Sequence, residues 1–146
     1  MSREQSILEF QSSVRNLFGF LIEEYGLREL PAEAHHALSF ENESIGVDIK
    51  GVNWGQGTEV NIRPVKKIPE SEFVSVPLWA IIKISYPEKY VAFDSIEGQI
   101  PQAKASSEFM REMLSGLLAG DTSQLTEPRR FLEKRVEAVR NGTWEG

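Results

Sequence analysis

Two adjacent histidines, His35 and His36, are the side chains that could do acid–base chemistry near neutral pH. In an extended segment, neighbouring side chains point to opposite sides of the strand, so the two imidazoles could not hold one metal ion from the same side. A histidine paired with a carboxylate such as Asp48 would instead act as a general base. No His-x-His spacing and no nucleophile-elbow motif accompanies them. The sequence therefore predicts no metal site, no cofactor and no catalytic residue, and makes this pair the first suspects if the protein is an enzyme.

The other patterns with chemical potential have simpler structural readings. Gly55-Gln56-Gly57 leads into Thr58-Glu59-Val60, which reads as a strand, whereas a phosphate-binding loop opens a helix. Pairs of carboxylates occur in polar surroundings that give no enclosure to shift a pKa, at Glu23/Glu24, Glu41/Glu43 and Asp94/Glu97. The basic pairs Lys66/Lys67 and Arg129/Arg130 are too small to mark a nucleic-acid site. These patterns favour binding over catalysis.

The chain of 146 residues has a net charge of −6 and no cysteine, which excludes disulfides and thiolate chemistry. Residues 1–62 carry ten acids and four bases, and residues 63–146 carry twelve of each. An acidic first half disfavours nucleic acid and anionic membranes and favours a basic partner. No apolar run reaches the length of a transmembrane helix, and the first residues lack the apolar core of a secretory signal, so we expect a cytoplasmic protein.

The segment His35 to Val65 predicts an antiparallel meander of three strands. Apolar and polar residues alternate with the period of a strand that buries one face. The expected inner face comprises Leu38, Phe40, Val47, Ile49, Val60 and Ile62. The expected outer face is polar and ends in a glycine-flanked turn that holds a tryptophan; its candidate partner-binding residues are Glu41, Asp48, Trp54, Glu59, Asn61 and Arg63.

Helices are expected on both sides of this meander. A capping box at Ser2 and Gln5 opens an amphipathic helix that should continue to a left-handed stop at Gly26 and lie across the apolar face of the meander. The segment 28–33 should be a connector, because Pro31 opposes a helix.

The C-terminal half should contain two or three helices. Residues 77–85 are predicted to be helical, while Phe73 to Val76 could add a fourth strand, and 89–94 could be a helical turn or an extended piece. Ile100-Pro101 is predicted to be a break. Further helices are expected over 104–118, with Ser106 or Ser107 as cap, and over 127–140, with Thr126 as cap. The predicted fold is a single α+β domain spanning residues 1–146, with a long N-terminal helix packed on a three- or four-stranded antiparallel meander.

The order of elements, with Glu23-Glu24-Tyr25-Gly26-Leu27 at the end of the first helix and Leu117-Leu118-Ala119-Gly120-Asp121-Thr122-Ser123 before the last, resembles a group of small bacterial α+β proteins. Some members of that group are suspected immunity proteins, which neutralise a toxin made by the same cell. The resemblance implies a cytoplasmic, non-enzymatic protein and supplies no site residues.

Three functional hypotheses follow. The first is a binding or inhibitory protein, such as an immunity protein that neutralises a basic toxin through the acidic outer face. The second is a small enzyme or small-molecule binder with a pocket between the sheet and the C-terminal helices. The third is a homo-oligomeric structural protein that associates through an uncovered sheet edge. The sequence leaves the oligomeric state open.

Overall fold

The N-terminal helical region is divided into two helices. The computed structural model describes residues 2–31, 35–52, 57–65 and 75–142. Helix α1 (Arg3–Leu17) begins with the predicted capping box: the Ser2 hydroxyl accepts from the Gln5 amide at 3.1 Å, and the Ser2 amide donates to the Gln5 side chain at 3.1 Å. Helix α2 (Gly19–Tyr25) ends at Gly26, which has the expected positive φ of 67°.

The break at Phe18 corrects the prediction of one continuous helix. Phe18 and Phe20 are both buried. On a straight helix these two side chains would point about 200° apart, so one of them would face solvent. The change of direction at Phe18 brings both into the core. The apolar side predicted for the N-terminal helix included Leu8 and Ile22; this is wrong, because both side chains are exposed.

The sheet has five antiparallel strands in sequence order, which confirms the α+β class and enlarges the meander by a short strand on each side. The added strands contain two residues each. One lies in the segment predicted to be a connector, and the other includes Val76, from the segment predicted as a possible fourth strand. The strands are β1 (Arg28–Glu29), β2 (Ala37–Glu41), β3 (Ile45–Val52), β4 (Gly57–Pro64) and β5 (Val76–Pro77).

The predicted inner face of the sheet is confirmed, because all six of its apolar side chains are at most 3% exposed. Two helices cover this face, since α1 lies against β2, and α5 (Gln99–Met113) lies against β4 and against α1. The predicted cover, the N-terminal helix, therefore shares this face with α5. A helix is about 10 Å wide and strands are about 4.8 Å apart, so one helix spans only about two strands.

The C-terminal half is helical as predicted but is divided more finely. The predicted helix at 77–85 is confirmed, and residues 89–94 lie within a helix. The elements in the described part of this half are α3 (Leu78–Ser85), α4 (Pro87–Asp94), α5, α6 (Ser115–Leu118), a 3₁₀-helix (Thr122–Leu125) and α7 (Thr126–Arg140). None of the helices in the described ranges is both long enough and apolar enough to cross a membrane.

Helix α5 begins at Gln99, five residues before the predicted start, so the predicted break at Ile100-Pro101 is wrong. Pro101 lies in the first helical turn, where its missing amide hydrogen costs nothing. Ser106 and Ser107 are buried inside the helix and do not cap it. Thr126 likewise lies inside α7, where Leu125 occupies the cap position.

Candidate functional site: the outer face of the sheet

The described candidate residues lie together on one face, because the strand register places them side by side. Asp48 is directly opposite Asn61, and Lys50 is directly opposite Glu59. Glu41 of β2 pairs with Gly46 of β3, which in turn pairs with Arg63 of β4. The inner face is buried, whereas every charged residue of this outer face is at least partly exposed. Trp54, the sixth candidate, lies outside the described residues.

Arg63 is the centre of an ion-pair cluster on this face. Its Nε donates to Asp48 Oδ2 at 2.9 Å, and its Nη1 donates to Glu41 Oε2 at 3.1 Å. The side chains of Arg63, Glu41 and Asp48 are 20%, 25% and 35% exposed. Burial lowers the pKa of Arg63, but hydrogen bonds and attraction from Asp48, and then from Glu41, outweigh burial and leave that pKa above its usual value. The two carboxylates therefore stabilise the charged form of Arg63.

Gly46 is part of this site, although it was not among the candidate residues predicted from the sequence. The Arg63 guanidinium lies directly over it: a Cβ added at Gly46 would lie 2.6 Å from Nη1 and 2.7 Å from Nη2. Only a residue without a side chain leaves room for the guanidinium between the two carboxylates. The available signal was a glycine inside an alternating strand, which often marks a close approach by another group.

A depression of about 640 Å³ lies beside the cluster, at the β1 end of the face. Leu30 and Pro31 contribute to its wall, and the Leu30 amide is fixed by donating to the Ser39 carbonyl at 2.8 Å. These two residues were not predicted as part of the site, because they follow a two-residue strand, which carries no periodic signal. The depression adds an apolar wall to an otherwise polar surface.

The outer face carries both acidic and basic side chains, so its acids are balanced by nearby bases. Glu41, Asp48 and Glu59 face Lys50 and Arg63 on the same three strands, and Arg28 of β1 is directly opposite Glu41. The excess negative charge of residues 1–62 is therefore spread over other parts of the described structure as well. It includes the exposed Glu23 and Glu43 and other acids outside the face.

The two histidines are not arranged for joint chemistry. His36 lies against Phe10 of α1, with ring centroids 5.6 Å apart, on the covered side of the sheet. Asp48 is on the opposite face, in the ion pair with Arg63. His35 is exposed, and its carbonyl accepts from the Gln11 side chain at 3.1 Å. Within the described ranges, no group of three or more His, Asp or Glu side chains could hold a metal ion.

A second concave region lies between the sheet and the C-terminal helices, where a pocket was hypothesised. It is lined by residues of β3, β4, α3, α4, α5 and α7, and neither histidine contributes to its described lining. Its chemistry is aromatic and charged, without the suspected His–Asp pair.

Comparisons with known proteins gave no match among protein-family models, curated proteins or solved structures. The described geometry presents two candidate binding regions. One is the outer face, with its ordered charges and apolar wall. The other is the cleft beside it.

Proposed function

We propose that this chain is a non-enzymatic binding protein that takes a protein partner on the outer face of its sheet. The observation that carries the proposal is the prearranged cluster of Glu41, Arg63 and Asp48. Its side chains are at most 35% exposed and are bonded to one another, so little side-chain entropy is lost when a partner docks. The neighbouring wall of Leu30 and Pro31 supplies the apolar contact that such an interface needs.

The charge pattern supports recognition by local complementarity. Acids and bases alternate across the strands, so a partner would have to match positions of both signs and not merely carry the opposite net charge. The resemblance to suspected immunity proteins supports a toxin of the same cell as the class of partner. A basic toxin would use the remaining lone pairs of Asp48 and Glu41 and the carboxylate of Glu59.

The test compares two variants that add the same charge at different places. Asn61→Lys adds a cation in the middle of the outer face, and Ser12→Lys adds one on the exposed side of α1. The immobilised chain is used to capture partners from the native host at low and high salt. We expect a captured protein to be lost with Asn61→Lys and retained with Ser12→Lys. Equal capture by both variants, or no captured protein with the unmodified chain, would contradict the proposal.

The homo-oligomer hypothesis receives less support from the described strands. The two edge strands, β1 and β5, are two residues long. Short edges offer few backbone groups for pairing with a second sheet. The hypothesis of a small-molecule site is supported by the cleft between the sheet and the C-terminal helices.

A further inference from the structure

The cleft between α3, α4, α7 and the start of β4 has an open volume of about 620 Å³. That volume is in the range of small-molecule sites. Four half-buried aromatic side chains line it: Trp79, Tyr90, Phe93 and Phe131. The helices that carry Trp79 and Phe131 are held in place from behind, because Leu78, Ile81 and Ile82 of α3 and Leu132 of α7 are buried in the core. The walls formed by Trp79 and Phe131 are therefore held in position by the fold.

Two of these rings form walls at a right angle. The centroids of Trp79 and Phe131 are 6.5 Å apart, and their planes meet at 86°. A planar ring placed between them could stack on one wall and meet the other edge-on, which are the two favourable arrangements of aromatic pairs. This geometry selects a flat molecule over a branched aliphatic one.

The ammonium group of Lys83 lies over two aromatic rings of the same cleft. Lys83 Nζ lies 5.4 Å from the ring centroid of Tyr90 and 5.6 Å from that of Phe131. No carboxylate of the described residues forms an ion pair with Lys83. The Arg135 guanidinium lies 5.9 Å from the ring centroid of Trp79. Both cations therefore lie over aromatic rings of the lining, whose negative faces attract them.

The two carboxylates of the lining have other neighbours. Asp94 lies beside Tyr90; burial first, and then the nearby Asp94 carboxylate, raise the pKa of that tyrosine. Glu59 is directly opposite Lys50 in the sheet, where side chains of opposite charge attract each other. Within the described residues, the Lys83 ammonium is therefore a charge of this lining that has no ion pair.

From these observations we infer that the cleft is a binding site for a small planar aromatic molecule that carries one acidic group. The ring lies between Trp79 and Phe131, and the acidic group pairs with the Lys83 ammonium. This site does not include the Arg63 cluster, although Glu59 belongs to the outer face and also lines the cleft. The inference does not rest on the proposed protein-binding function.

The test uses three probes that share an indole ring and differ in charge: indole-3-acetate, the neutral indole-3-ethanol and the cationic tryptamine. Binding to the full chain is followed by ¹H–¹⁵N NMR through the indole N–H resonance of Trp79, assigned by its loss in Trp79→Phe. We expect indole-3-acetate to bind about tenfold or more tightly than indole-3-ethanol, which corresponds to one favourable charge contact, and tryptamine to bind most weakly. Tryptamine binding as tightly as the acid, or no shift of this resonance with any probe, would overturn the inference.

A variant pair locates the charge contact. Lys83→Gln should weaken indole-3-acetate about tenfold and leave indole-3-ethanol unchanged. The control, Lys89→Gln, removes the same charge from an exposed position on α4 outside the lining and should change neither affinity. Equal weakening by both variants would show only an effect of net charge and would overturn the assignment of Lys83. Asn61→Lys should leave indole-3-acetate binding unchanged, which separates this test from that of the outer face.

Discussion

The two faces of the sheet share the same strands and differ in what stabilises them. Along β4, Val60 and Ile62 are 3% and 0% exposed and lie under α5, whereas Asn61 and Arg63 between and beside them remain partly exposed. The inner face gains its free energy from removal of apolar surface from water. The outer face carries a network of hydrogen bonds and ion pairs that are still reached by solvent, so each contact contributes less.

This difference separates folding from binding at the level of single residues. A substitution on the inner face changes the free energy of unfolding, and therefore changes binding only through the amount of folded protein. A substitution on the outer face can change binding while the fold remains. Measurements on neighbouring residues of one strand can therefore test whether the two roles are as separate as the structure indicates.

The largest effect is expected at Ile62. Ile62→Ala removes a fully buried side chain that packs between the sheet and its covering helices, so we expect a loss of about 2–5 kcal/mol in the free energy of unfolding. The measurement is urea unfolding followed by circular dichroism. Asn61→Ala, on the adjacent residue, should stay within about 0.5 kcal/mol of the unmodified chain. Similar losses at both positions would show that the outer face is also part of the core.

A smaller effect is expected at Arg63. Arg63→Ala leaves Glu41 and Asp48 facing each other without a cation, and we expect a loss of about 1–2 kcal/mol, between the values for exposed and buried ion pairs. High salt should reduce the loss, because it screens the repulsion of the two carboxylates. The control is Arg130→Ala, which breaks the exposed pair with Glu127 on α7, 2.8 Å apart, and should cost at most about 0.5 kcal/mol. An equal loss in the free energy of unfolding for both variants would mean that the Arg63 cluster is no more ordered than an exposed ion pair.

The alternation of residues was sufficient to predict both faces of the central strands. It identified all six inner residues and placed Glu41, Asp48, Glu59, Asn61 and Arg63 on one surface. The capping box at Ser2 and the helix end at Gly26 could also be predicted, because each depends on residues within a few positions of one another in the chain. Local signals of this kind are encoded by residues close together in the chain.

The features that were not predictable depend on contacts between distant segments. The ion pairs of Arg63 require the register of three strands, and a shift of one residue would move every side chain to the other face. The start of α5 at Gln99 depends on β4: the Thr58 hydroxyl donates to the Gln99 carbonyl at 2.7 Å, and the Thr58 amide donates to the Gln102 side chain at 2.9 Å. Serine is a residue type that commonly caps helices, but Ser106 is buried by packing inside α5. No short sequence window contains this information.

Gly46 offers the sharpest test of the outer face, with the smallest expected effect. In the unmodified chain, Gly46→Ala places a Cβ where the Arg63 guanidinium lies, so the guanidinium must move away from Glu41 and Asp48, at an expected cost of about 0.5–1 kcal/mol. In the Arg63→Ala background there is no guanidinium to displace. Alanine is more favourable than glycine inside a strand, so the same substitution should then stabilise the protein by about 0.5 kcal/mol. Urea unfolding of the two single variants and the double variant gives the coupling free energy directly. The reversal of sign is specific to a glycine that makes room for Arg63; the same change in both backgrounds would mean that Gly46 and the ion-pair cluster act independently.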